Sequence, residues 1–214
     1  MEERNRFIKR AILLSLFTIG YNLVEGVVSI YFGISDEAIS LAGFGGDSLI
    51  EVGSAGLVLW RLESEVGRSA ELSLRRERKA TFGIGVLFIV LAVITLVVSA
   101  FQLATFSHPE STLPGLVIAA LSLSFMFFLW SAKRKVAKLL DSATVMKDAD
   151  CSLACIKLSA ILFIGSLIFL LFPGLWWIDS AAAILLAIII GKEGLETIQA
   201  ARSDDFSGGC GCVH

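Results

Sequence analysis

Two acidic residues, Asp47 and Glu51, stand four apart inside an apolar run, and Cys151 and Cys155 repeat that spacing in a second run. A four-residue step puts both side chains of a pair on one helix face, one turn apart. Two such faces meeting would offer two carboxylates and two thiolates to one cation, a four-ligand set that Zn2+ and Cd2+ accept. A central Asp costs about 2.5–3.5 kcal/mol on the membrane-insertion scale, so carboxylates in apolar runs need a reason to be there. Ligand deprotonation ties cation uptake to proton release, so a site exposed alternately to two sides would exchange the two. The thiolates favour softer ions, raising Cd2+ and lowering Mn2+, Fe2+, Mg2+ and Ca2+. A bland reading of the cysteines also stands: buried, they can serve simply as small hydrophobes.

The elements that must carry these residues are apolar. Hydrophobic residues make up 56% of the 214-residue chain, and mean hydropathy is +0.80. Six runs approach the length of about 20 residues needed to cross a bilayer: roughly 11–33, 37–60, 80–105, 113–131, 150–172 and 175–195. The second is interrupted by glycines and acids. The expected fold is all-α, a polytopic membrane protein with six transmembrane helices in one bundle. The expected organisation is a transport domain over 1–198 and a short tail over 199–214.

Basic residues cluster before the first run (Arg4, Arg6, Lys9, Arg10), between the second and third (Arg68, Arg75, Arg76, Arg78, Lys79) and between the fourth and fifth (Lys133, Arg134, Lys135, Lys138, Lys147). The alternate loops carry no Lys or Arg. The positive-inside rule then places both termini and two long loops in the cytoplasm, and an even number of spans agrees. The first run outlasts a signal peptide's apolar core and contains Asn22 and Glu25, so it reads as an uncleaved helix. No cysteine falls in an outer loop, which fits a reducing setting.

Other polar residues say less. Glu25, with Asn22 beside it, could relay protons, join a second cation site or pair with Lys157. Gly43, Gly45 and Gly46 before Asp47, with Gly53 and Gly56 after the acid pair, would permit close helix packing or loosen the helix around the site. Cys210, Cys212 and His214 lie among flexible glycines, where they could capture a metal or be an incidental unstructured end. No phosphate-binding glycine loop, nucleophile elbow or Cys-x-x-Cys motif occurs, so neither an enzyme nor nucleotide-driven pumping is expected.

Taken in order, these motifs resemble the cation diffusion facilitator (cation efflux) family. Ser40-Leu41-Ala42 followed by Asp47-Ser48-Leu49-Ile50-Glu51 is similar to that family's second helix, with its S-L-A…D-S-x-x-D pattern. Residues Asp148 to Cys155 resemble its fifth helix, A-D-x-x-H-x-x-x-D, and Asp179-Ser180 resembles the D-P start of its sixth. The resemblance implies Asp47, Glu51, Cys151 and Cys155 as metal ligands, with the cysteines standing where the family has His and Asp. Asp148, Asp150 and Asp179 join Glu25 and Asn22 as accessory or proton-relay residues. Only about twenty residues follow Lys192, too few for the family's cytoplasmic domain, so any homodimer is expected to rest on transmembrane helices.

The expected function is export of Zn2+ or Cd2+ in exchange for protons. The implied partners are divalent ions, protons and the lipid of a bacterial cytoplasmic membrane, with no resident cofactor and no nucleic acid. A proton-coupled organic-cation antiporter using Glu25 and Asp47 is the alternative, and a membrane thiol oxidoreductase a weaker third. The acids and cysteines also pose a geometric problem. Counted from the outer boundaries of their runs, the cysteines lie about two turns deeper than the acids, a mismatch that helix tilt would have to absorb.

Overall fold

Apolar side chains face outward and polar ones inward. On the first helix, Ser15, Thr18, Asn22, Glu25 and Ser29 form a buried stripe at helical spacing, while Phe17, Val24, Val27 and Tyr31 are exposed. The third helix likewise exposes Val90, Val93, Val97 and Phe101, and the sixth Leu185, Ile188 and Ile189. Hydroxyls within the bundle return their hydrogen bonds to the preceding turn, as with Thr18 to the Leu14 carbonyl at 2.8 Å and Ser159 to Cys155 at 2.8 Å.

The computed structural model describes residues 2–35, 39–62, 70–105, 113–172 and 177–208. They form six helices: α1 (Glu2–Ser35), α2 (Ile39–Leu62), α3 (Ala70–Thr105), α4 (Leu113–Leu140), α5 (Ala143–Leu171) and α6 (Ile178–Arg202). Among the described residues there is no strand. Arg4–Phe32 and Leu74–Thr105 are the two stretches, among those residues, that are long and apolar enough in themselves to cross a bilayer.

The sequence expectations need three corrections. The long loop between the fourth and fifth runs does not exist: α4 and α5 are joined only by Asp141 and Ser142. Asp141 takes a left-handed φ of 48°, ending α4, and Ser142 then caps α5, its hydroxyl accepting from the Val145 amide at 3.3 Å. Lys133, Arg134, Lys135 and Lys138 are therefore helical residues. The glycine-rich α2 stays one unbroken helix rather than loosening around its acids. The tail is also partly built, since α6 runs to Arg202 and the segment beyond it lies against the bundle. The Arg78 guanidinium donates to the Ser203 carbonyl (3.1 Å), and the Ala143 amide donates to the Gly208 carbonyl (2.9 Å). Cys210, Cys212 and His214 lie outside the described residues.

Packing is most extensive between α1 and α2, α3 and α6, and α4 and α5. Glycine permits two of these contacts. A Cβ on Gly45 would fall 2.8 Å from the Gly26 carbonyl of α1, and one on Gly194 would fall 3.0 Å from the Gly85 carbonyl of α3 and 2.9 Å from Phe88 Cβ. At one end of the bundle, Glu77 of α3 ties the helices together. Its carboxylate pairs with Arg61 of α2 and accepts from the Ser142 hydroxyl (2.6 Å) and the Thr144 amide (2.8 Å) at the start of α5. Gly194→Ala should lower the thermal midpoint of the detergent-solubilised protein, at a cost of about 1–3 kcal/mol from overpacking. Gly56→Ala, whose methyl would meet nothing within 4 Å, should leave the midpoint unchanged or raise it.

Candidate metal site on the α2–α5 seam

Helices α2 and α5 run antiparallel in one register along the residues in question. Ser54 donates to Asp148 (2.7 Å) and Ser152 donates to Glu51, and one turn further on Cys155 lies beside Asp47. Each step of about one turn along α2 is matched by a turn backward along α5, as 3.6-residue periodicity requires of two facing stripes. The depth mismatch expected from the span boundaries is thus absent. Asp47 lies eight residues from the Ile39 end of α2 and Cys155 sixteen from the Leu171 end of α5, so α5 reaches about two turns further and the run ends do not mark a common depth.

The four residues singled out in the sequence share this seam. Asp47 (4% exposed), Glu51 (0%), Cys151 (0%) and Cys155 (3%) are all buried, and the two thiols stand one turn apart on α5. The structure sets Asp47 beside Cys155, with Cys151 and Glu51 each one turn along their own helices. It does not draw them into a cage: among the described residues, no three His, Cys, Asp or Glu side chains stand close enough to hold an ion. Their polar atoms are instead partly occupied by one another and by neighbours. One oxygen each of Asp47 (Oδ1) and Glu51 (Oε2) is buried without a hydrogen-bond partner, as is Asn22 Oδ1 on α1. A desolvated, unpaired oxygen costs about 1–3 kcal/mol.

The accessory residues separate. Glu25 accepts from Tyr21 (3.0 Å) and from Ser48 of α2 (3.1 Å), within the bundle beside the Asp47 turn. Of the three roles open to it, pairing with Lys157 does not form, since Lys157 is exposed on α5 while Glu25 is 7% exposed. Asn22 donates to the Thr18 carbonyl at 3.0 Å. Asp148 is buried at the Ser54 end of the seam. Asp150 lies off it, half-buried and paired with Lys147 at 3.2 Å. Asp179 falls in the first turn of α6, and its side-chain surroundings lie outside the described residues.

The residue the sequence reading missed is Lys133. It stood there as one more loop cation on the basic side, yet it is 2% exposed. Its ammonium lies 3.2 Å from Glu51 Oε1, 3.0 Å from Asp148 Oδ2 and 2.9 Å from Ser152 Oγ. The available signal was its place three residues after Trp130, where α4 has barely left its apolar run and the helix can still turn a side chain inward. Of the serines that supply the remaining hydrogen bonds, Ser48 belongs to the D-S-x-x-D pattern, while Ser54 and Ser152 carry no sequence signal beyond helical spacing.

An apolar exterior around buried, charged helix faces is the build of a helical membrane carrier. Residues 75–204 match the family described as the cation efflux transmembrane domain, more than half of the chain, and the chain belongs to that family. It is therefore a membrane protein and a cation transporter. Over 92% of its length the chain is 22% identical to transmembrane protein 163 of Xenopus laevis, covering 69% of that protein. The family match spans α3 to α6, so it contains the cysteine pair and leaves the α2 acids outside.

The register can be checked by cross-linking. With Cys151, Cys210 and Cys212 replaced by Ala, Asp47→Cys should form an intramolecular disulfide with Cys155 on mild oxidation, read by mass spectrometry. Leu49→Cys, on the exposed side of α2, should not. Absence of the first bond, or equal yield of both, would contradict the seam.

Proposed function

We propose that the chain exports Zn2+ or Cd2+ from the cytoplasm in exchange for protons, through Asp47, Glu51, Cys151 and Cys155. The observation that carries this reading is the burial of all four side chains along one α2–α5 seam, whose register is held by the Ser54–Asp148 and Ser152–Glu51 hydrogen bonds. Small side-chain rearrangements on that seam would present two oxygens and two sulfurs to one ion, a set suited to a borderline-to-soft d10 cation. Loading requires the thiols to lose their protons, and unloading returns them, so metal and proton flux are coupled in opposite directions. In this reading six helices cross the membrane with both termini in the cytoplasm, which puts Arg61, Glu77 and the α4–α5 turn at the cytoplasmic end, in agreement with the basic clusters.

The organic-cation alternative has one observation in its favour. Phe17 and Tyr21 of α1 gather around Phe125 of α4 directly beside Glu25. The Tyr21 and Phe125 rings are stacked on each other at 3.8 Å, however, which uses the faces an organic cation would need.

Zn2+ or Cd2+ should protect Cys151 and Cys155 from a small membrane-permeant thiol reagent, read peptide by peptide; reactivity indifferent to metal would favour the alternative. In reconstituted vesicles, Cys151→His with Cys155→Asp should lower the Cd2+ to Zn2+ transport ratio, since imidazole and carboxylate are harder ligands. An unchanged ratio would remove the cysteines from the ion's path.

The tail calls for a truncation that spares the Gly208 carbonyl at the start of α5. Ending the chain after Gly208 should weaken apparent metal affinity about two- to fivefold with the maximal rate nearly intact, because a short flexible segment raises local ion supply at little closure cost. Unchanged affinity would remove the capture role of Cys210, Cys212 and His214.

A further inference from the structure

Lysine is almost never fully buried unless it is paired, and Lys133 sits within the seam itself. Its three N–H donors are matched by three acceptors, Glu51 Oε1, Asp148 Oδ2 and Ser152 Oγ, at 3.2, 3.0 and 2.9 Å. Asp148 is further held by Ser54 at 2.7 Å. The ammonium thus saturates one oxygen of Glu51 while Glu51 Oε2, buried in a side chain that is 0% exposed, has no partner. A permanent monocation on a four-carbon tether shares a carboxylate with the face on which the transported ion would bind.

We propose that Lys133 is a resident counter-cation that competes with the substrate ion for Glu51, a proposal resting on the Asp47/Glu51/Cys151/Cys155 reading above. A dication arriving between Asp47 and Glu51 brings two like charges within a few ångströms of the ammonium in a medium of low dielectric. The ammonium then yields Glu51 and retreats onto Asp148, which its tether allows it to reach. Lys133 keeps its charge throughout; the device is a displacement. Two consequences follow. Between substrate ions the seam's carboxylates are not left bare, which in a membrane interior would be costly. An incoming ion must also outbid a tethered monocation already in place, so hydrated monovalent ions gain little and dications are favoured. Lys133 is in this sense a specificity-determining residue, and Asp148 is its second berth.

The test is Cd2+ binding to the full-length purified protein, measured by calorimetry, in variants chosen to move affinity in opposite directions. Lys133→Gln combined with Asp148→Asn removes the competitor and its berth together, so no net charge is added to the seam; Cd2+ should bind at least about tenfold tighter than to wild type. Asp148→Asn alone throws the ammonium wholly onto Glu51 and should weaken binding about threefold or more. Lys133→Arg, whose rigid fork grips a carboxylate with two bonds, should weaken it similarly while preserving the fold. A purely structural pair would shift all three in one direction or none. If wild type binds Cd2+ and the double variant does not exceed it, the competitor role is overturned while the site reading stands. Should the double variant fail to fold, unchanged affinity in Asp148→Asn and Lys133→Arg overturns the role equally. If wild type binds no Cd2+ at all, the site reading falls and this inference with it.

Discussion

The desolvation of charge along α2 is the constraint from which the rest of the bundle follows. Asp47 and Glu51 are buried on one helix face where water cannot reach them, and neither can be left without compensation. Every element touching that face supplies something. Helix α5 brings the Ser152 hydroxyl to Glu51 and Cys155 beside Asp47, α4 brings the Lys133 ammonium shared by Glu51 and Asp148, and the further acid Glu25 of α1 is met by the Ser48 hydroxyl. Hydroxyls do much of this work because they donate to a neighbouring carboxylate and can also bond their own helix's carbonyls, as Ser48 does with Phe44 at 3.3 Å.

Close approach makes the compensation geometrically possible. The Gly26–Gly45 contact brings α1 onto α2 at the turn before Asp47, and the Gly85–Gly194 contact fixes α6 onto α3. At the far end Glu77 holds α2, α3 and the beginning of α5 through Arg61, Ser142 and Thr144. The α2–α5 register is therefore set by the hydrogen bonds of the seam itself and, at the far end, by the buried Glu77 carboxylate. An apolar surround gives little drive for helix association, so packing fit and interhelical hydrogen bonds specify the arrangement.

The exterior completes the physical picture. Valine, leucine and phenylalanine face outward on α1, α3 and α6, the inverse of a water-soluble bundle. In a hydrocarbon surround such a surface costs nothing, while each polar group must find its partner inside. The family relationship identifies that surround as a membrane and the cargo as a cation; the chemistry of the seam supports a choice among cations.

The sequence by itself determined the fold class and the chemical inventory. Runs of apolar residues near membrane length can only be helices, and the four-residue spacing of Asp47 with Glu51 and of Cys151 with Cys155 fixes each pair on one face, because both properties are local. It also marked the two residues of α2 and the two of α5 that end up on one seam. Tertiary structure alone decided how the faces meet: that Asp47 opposes Cys155 and Ser54 opposes Asp148, that α4 and α5 are separated by two residues and not a loop, and that Glu25 belongs with Tyr21 and Ser48. It alone turned Lys133 from an apparent surface cation into the most buried charge donor of the seam. The reason is physical. Whether a lysine at a helix's polar end points outward or inward depends on what the neighbouring helices offer it, and Glu51 and Asp148 lie on two other helices, 82 and 15 positions away along the chain.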